Sequence, residues 1–361
     1  MVRKKGVLVL IISILVSLLV ACGVTNSSAG DSEGDQNSEP VNSEKTSEPQ
    51  DPITLTIGAY TVPKEAVQEI IPLFQEYWKE EKGQTVTFTE SYDASGSQTR
   101  AILEGFEADI ALLSLEGDIE KLVEANLITH DWKSKPFEGM ITGSVVALGV
   151  REGNPKNIQD WSDLTKEGVE VLIPNPKTSG GAQWDVNAIY GAGLKISEEE
   201  GGQNPNQAKE FLSQVYKNVK TLDKSGRASM TTFEKGIGDV IVTYENELLA
   251  RNLAGENYEI IVPKYTIDIR NPAAVIDKNV DAHGVREAAE AFVDFLWTPE
   301  AQTIFAQKGF RAVEPNIASE FADQYKTPEG LFGIDYLGGW SQVSETIYAD
   351  GAIWDQVLSG E

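Results

Sequence analysis

From Ile53 onward the chain alternates short apolar runs with stretches of helical periodicity, and no feature constrains its fold more tightly. "ITLTIGAY", "TVTFTES", "ADIALLSL", "SVVALGVR", "VEVLIP", "DVIVTYE", "YEIIVP" and "AAVID" read as strands. Between them, Pro63 to Lys82 carries Val67, Ile70, Ile71, Phe74, Tyr77 and Trp78 at helical spacing. "DASGSQTRAILEGF", "DIEKLVEANLI", Gln183 to Leu194 and "ASMTTFEKG" read as further helices, and two amphipathic ones, Val285 to Leu296 and Pro299 to Lys308, follow late in the chain. Strands separated by helices predict an α/β fold. The body from Pro52 to Glu361 is longer than one core usually accommodates, so two lobes are expected.

The residues ahead of this body have another character. Arg3, Lys4 and Lys5 precede an apolar run from Val7 to Ala21, broken only by Ser13 and Ser17, that ends Leu19-Val20-Ala21-Cys22. It is about 15 residues long, short of the roughly 20 that span a bilayer, so residues 1–21 are expected to be a secretory signal. The ending resembles a bacterial lipobox, which implies cleavage before Cys22 and a lipid on its sulfur that fixes the protein to the outer face of the cell membrane. Cys22 is the sole cysteine, which excludes an intrachain disulfide and a cysteine metal cluster. Residues 22–51, rich in Ser, Asn, Glu, Asp and Gly, are expected to be a disordered tether.

Charge and motif content narrow the function. The net charge is −26, and loss of the three leader cations takes it to −29, with no Lys/Arg cluster to hold nucleic acid. The two histidines, His130 and His283, lie in charged or loop-like stretches with no Ser or Cys nucleophile beside them. Gly-Lys never occurs, so the phosphate loop of nucleotide hydrolases is absent. No enzyme, cofactor or metal is expected. Glu116 and Asp118 are the acidic pair of interest, because they follow a strand end, where open α/β sheets place ligand-contacting loops.

Three turns rich in Ser and Gly each stand between strand and helix: Ser95-Gly96-Ser97, Ser179-Gly180-Gly181 and Ser225-Gly226-Arg227. A helix entrance leaves about four N–H groups without intrahelical partners and carries roughly half a positive charge, which makes it a ready anion site. Taken singly, each turn is better explained as ordinary capping by serine.

"NPKTSGGAQW", "TTFEKGIGDVIVTYENELLA", "REGNPKNIQDWSDL" and "SGSQTRAILEGFEADIALLSL", in the stretch from Leu55 to about Glu314, resemble the sulfate-binding proteins of ABC importers. The resemblance implies a two-lobed, periplasmic-binding-protein-like (type II) α/β fold with two crossover strands and a ligand cleft between lobes. Lobe 1 would comprise about 52–142 plus 271–361, and lobe 2 about 143–270. It also implies an oxyanion held dry in the cleft and delivered to an ABC importer permease.

Carried over to this chain, the family's ligand-binding residues are Ser179, Gly180 and Gly181, together with Ser95. Gly226 stands where the family has Ala, Thr61 where it has Asp, and Tyr244 where it has Trp. A phenol can accept as well as donate, and a site of donors alone is what rejects hydrogen phosphate. Tyr244 and Glu116 are the two candidate acceptors, so thiosulfate, molybdate, tungstate and phosphate stay open beside sulfate, as does a role as surface sensor. Arg227 is expected to orient its loop against Glu245 rather than touch the ligand.

Overall fold

The computed structural model describes residues 51–360; the expected signal, Cys22 and all of the tether but its last residue lie outside them. The chain opens with three strand–helix units: β1 (Ile53–Tyr60) and α1 (Lys64–Lys82), β2 (Val86–Asp93) and α2 (Ser95–Leu103), β3 (Ile110–Leu112) and α3 (Glu116–Glu124). After β4 (Met140–Val150) the plan recurs with β5 (Val171–Pro174), α4 (Gly180–Glu200), α5 (Pro205–Tyr216), β6 (Val219–Asp223), α6 (Gly226–Glu234), β7 (Val240–Tyr244) and α7 (Glu245–Leu253). β8 (Glu259–Ile261) and β9 (Tyr265–Val275) follow.

The strands lie in the order β2-β1-β3-β9-β4-β7-β5-β6. β1 pairs in parallel with β2 and β3, and β5 in parallel with β6 and β7, so the sheet has two parallel halves. Between them β4 and β9 run antiparallel, each tied into one half: Val146–Val150 of β4 pair with β7, and Ala273–Val275 of β9 with β3. These are the two crossing strands of a two-lobed α/β fold. β4 is buried along its whole length, in keeping with an almost wholly apolar sequence.

Local chemistry explains the elements. α1 buries Ala66, Val67, Ile70, Ile71, Phe74 and Trp78 as one stripe and stops at Gly83, whose φ of 65° is the left-handed cap that glycine adopts freely. Phe74 meets Phe292 at 5.1 Å and Phe295 at 5.6 Å, both edge-on, which fastens the late helix Arg286–Phe295 to α1. Burying each such ring contributes about 1.5–3 kcal/mol. Several elements lie outside the sequence reading, α7 among them. β6, "VKTLD", is a partly exposed edge strand without an apolar run, and α5 follows an Asn204 cap that accepts from Asn206 and Gln207. α4 also starts earlier than Gln183, at Gly180, because Ser179 caps it.

Candidate functional site

The carboxyl ends of the parallel strands from both halves converge on one small buried cavity, the position where open α/β sheets bind ligands. Its wall holds Tyr60 at the end of β1 with Thr61 and Val62 after it, Ala94 and Ser95 at the start of α2, and Ser114 after β3. The other half supplies Ser179, Gly181 and Asp185 from the start of α4, Ser225 and Gly226 from α6, and Thr243 and Tyr244 at the end of β7. Six of the seven residues that the sequence singles out as ligand-binding are therefore together. The seventh, Gly180, lies behind the wall, where a Cβ would stand 2.1 Å from Ser114 Oγ and 3.1 Å from Ser95 Cβ. There glycine permits the two halves to touch.

The three helix entrances use their serines differently. Ser179 Oγ accepts from the Ala182 N–H at 3.2 Å and Ser225 Oγ from the Ala228 N–H at 3.2 Å, so each cap keeps its own hydroxyl proton to donate. Ser95 Oγ instead donates to Asp118 Oδ2 at 2.7 Å and accepts from the Ser114 N–H at 3.0 Å. Its hydroxyl is committed to the protein, leaving the main-chain N–H groups ahead of Gln98, the first to bond back to Ala94, as the donors of α2.

Three hydroxyls in the wall, those of Tyr60, Ser114 and Tyr244, have no hydrogen-bond partner among the described residues, although all three residues are buried. Burial pushes both phenols well above their ordinary pKa, so each keeps its O–H. Ser114 is aimed by its own carbonyl, which accepts from Trp184 Nε1 at 2.7 Å and from Asn271 Nδ2 at 2.8 Å. Among the described residues, no Lys, Arg or His belongs to the wall. Uncharged O–H and N–H donors backed by the positive ends of α2, α4 and α6 fit a compact oxyanion.

Two expectations need correction. Glu116 is not in the wall; its carboxylate pairs with Lys133 at 2.5 Å, and the carboxylate that does enter is Asp185. Arg227 does not meet Glu245. It forms a fork on Glu65 at 2.7 and 2.9 Å and reaches Glu247 at 3.3 Å, while Glu245 pairs with Arg311 at 2.8 Å. Glu65, in the first turn of α1, takes the guanidinium instead, and Glu245 is already held by Arg311. Of the wall residues not singled out beforehand, Ser114 had a signal in its strand-end position, and Asp185 in being the one acid of α4 ahead of Glu198, four residues after Gly181.

The family profile of the bacterial extracellular solute-binding proteins matches residues 55–311. A sulfate-binding protein of Synechococcus elongatus is 44% identical over 308 residues, which cover 85% of this chain and 87% of that one. The chain belongs to the sulfate-binding family of extracellular solute-binding proteins. A thiosulfate-binding protein of Pseudomonas aeruginosa is 37% identical and covers 83% of this solute-binding protein and 91% of its own length. The structure of the sulfate-binding protein SubI from Mycobacterium tuberculosis H37Rv superposes with a TM-score of 0.75 at 37% identity, covering 82% of this chain and 99% of SubI.

Proposed function

We propose that this solute-binding protein takes up sulfate, as the fully deprotonated dianion, in the cavity and hands it to an ABC importer permease. One observation carries the reading: buried, unpartnered hydroxyls and three helix entrances meet at one cavity whose wall, among the described residues, contains no cation. A dianion accepts from every donor and needs no counter-ion if enough of them point at it, because hydrogen bonds to a charged group are about twice as strong as neutral ones. Thr61 and Gly226 would contribute main-chain N–H groups, Gly181 another, and Ser179 its hydroxyl. Tyr244 would donate where the family's Trp does. Lobes of about 52–142 with 271–361 and about 143–270 would open and close on the anion around β4 and β9. A lipid on Cys22 and the tether over 22–51 would hold the body outside the membrane, within reach of the permease.

Titration calorimetry of the purified protein with sulfate, thiosulfate, molybdate and phosphate at two pH values tests the cargo. Tight sulfate binding with a weak response to phosphate is expected; preference for phosphate would mean that the wall supplies an acceptor, and the reading falls. Deleting the gene should abolish sulfate uptake, whereas unchanged uptake would make the protein a sensor.

A further inference from the structure

Among the described residues the cavity wall has one carboxyl group, Asp185, and its setting is unlike that of an ordinary acid in a binding site. It sits in the second turn of α4, four residues after Gly181 and so above the same helix face. It is 2% exposed, and its Oδ1 has no hydrogen-bond partner among the described residues. The titratable groups facing it are phenols: Tyr244 from the end of β7, Tyr348 from the segment Ser344–Tyr348, and Tyr60 across the cavity. Among the described residues no cation offsets it, and burial alone drives its pKa well above the ordinary aspartate range.

An oxyanion dianion and an ionised carboxylate sharing one dry cavity would repel with nothing between them to compensate. We propose that Asp185 is a specificity-determining carboxylic acid, protonated whenever the cavity holds a fully ionised oxyanion, to which it donates its O–H. The proposal rests on the oxyanion reading above. In this form Asp185 presents an O–H to the anion instead of a charged acceptor, which favours an oxyanion that carries no proton of its own. The sign of the linkage follows: binding uses the protonated acid, so affinity is full below the pKa of Asp185 in the free protein and falls about tenfold per pH unit above it. Sulfate does not titrate near neutrality, and the change would belong to the protein.

Infrared spectroscopy of the purified protein saturated with sulfate, wild type minus Asp185→Asn, reads the protonation state directly. The expected result is a deuterium-sensitive protonated-carboxyl C=O stretch that the variant lacks, with sulfate affinity in Asp185→Asn no longer following pH because the amide cannot ionise. An ionised-carboxylate stretch from Asp185 in the sulfate complex overturns the proposal while leaving the cargo intact. If the wild type binds no sulfate at any pH, the cargo assignment is what fails, and the same spectrum with thiosulfate or molybdate bound decides the state of Asp185.

Discussion

Around Asp277 both carboxylate oxygens are engaged, whereas the cavity between the strand ends keeps four buried polar atoms without partners. Asp277 Oδ2 accepts from the Thr129 N–H at 2.6 Å and the His130 N–H at 3.1 Å and meets His130 Nδ1 at 2.7 Å, and Oδ1 accepts from Arg286 at 2.7 Å. Burial pushes this carboxyl up, but the Thr129 N–H, His130 and Arg286 overrule it and hold the group below the ordinary aspartate range. In the cavity, Tyr60, Ser114 and Tyr244 each keep a free hydroxyl, Asp185 an unpartnered oxygen, and burial moves Asp185 the opposite way. A satisfied polar cluster is structure. Several unpartnered polar atoms on one cavity wall are what a ligand would meet, because an unmet buried polar group costs about 1–3 kcal/mol.

The comparison breaks most visibly at Asp277 if it is wrong. Asp277→Ala should lower unfolding stability by about 3 kcal/mol at neutral pH, through lost charged hydrogen bonds, and leave sulfate affinity unchanged. Because the folded pKa is depressed, that contribution exists above the unfolded value near 3.9 and disappears as pH falls through the folded value. Urea titrations of wild type and variant should therefore converge in acid. A loss of sulfate binding instead would place Asp277 in the site.

Next in size is Gly180→Ala, whose Cβ would stand 2.1 Å from Ser114 Oγ and 2.8 Å from Leu115 Cδ2. Overpacking of about 1–3 kcal/mol should weaken sulfate binding about 10- to 100-fold by calorimetry. An unaltered affinity would mean that the halves need not touch there. Ser179→Ala should cost about 1.5 kcal/mol of binding, whereas Ser95→Ala should show chiefly as a lower unfolding stability, since its hydroxyl already serves Asp118 and the Ser114 N–H. Equal affinity losses in the two variants would erase the difference between free and committed hydroxyls. The smallest effect belongs to Gly226→Ala, where the nearest atom, Val62 Cγ2, is 3.9 Å from the new Cβ. A change under about 0.5 kcal/mol in binding is expected, which calorimetry against the Gly180 variant resolves.

The fold was legible wherever periodicity is local. "ITLTIGAY" is β1 from end to end, and the stripe from Val67 to Trp78 is the buried face of α1 except for Tyr77, which is exposed. β6 escaped because an edge strand need bury little of either face, so Lys220 can sit in it without penalty. In the site, Ser-Gly strings located three helix entrances, yet position after a strand end misdirected attention to Glu116. Its neighbour Lys133 turns that side chain aside, and Lys133 is 17 residues away in the chain.

What the sequence determined by itself was the α/β alternation and a set of helix entrances stripped of side chains, because strand and helix periods and glycine's missing Cβ are properties of neighbouring residues. Which hydroxyls remain free was decided only by the tertiary structure. Ser95 is committed by Asp118, 23 residues on, and Ser114 is aimed by Asn271, 157 residues on. Hydrogen-bond satisfaction in a buried wall depends on which groups the packed chain brings within about 3 Å, and Ser95 and Ser179 look alike until it does.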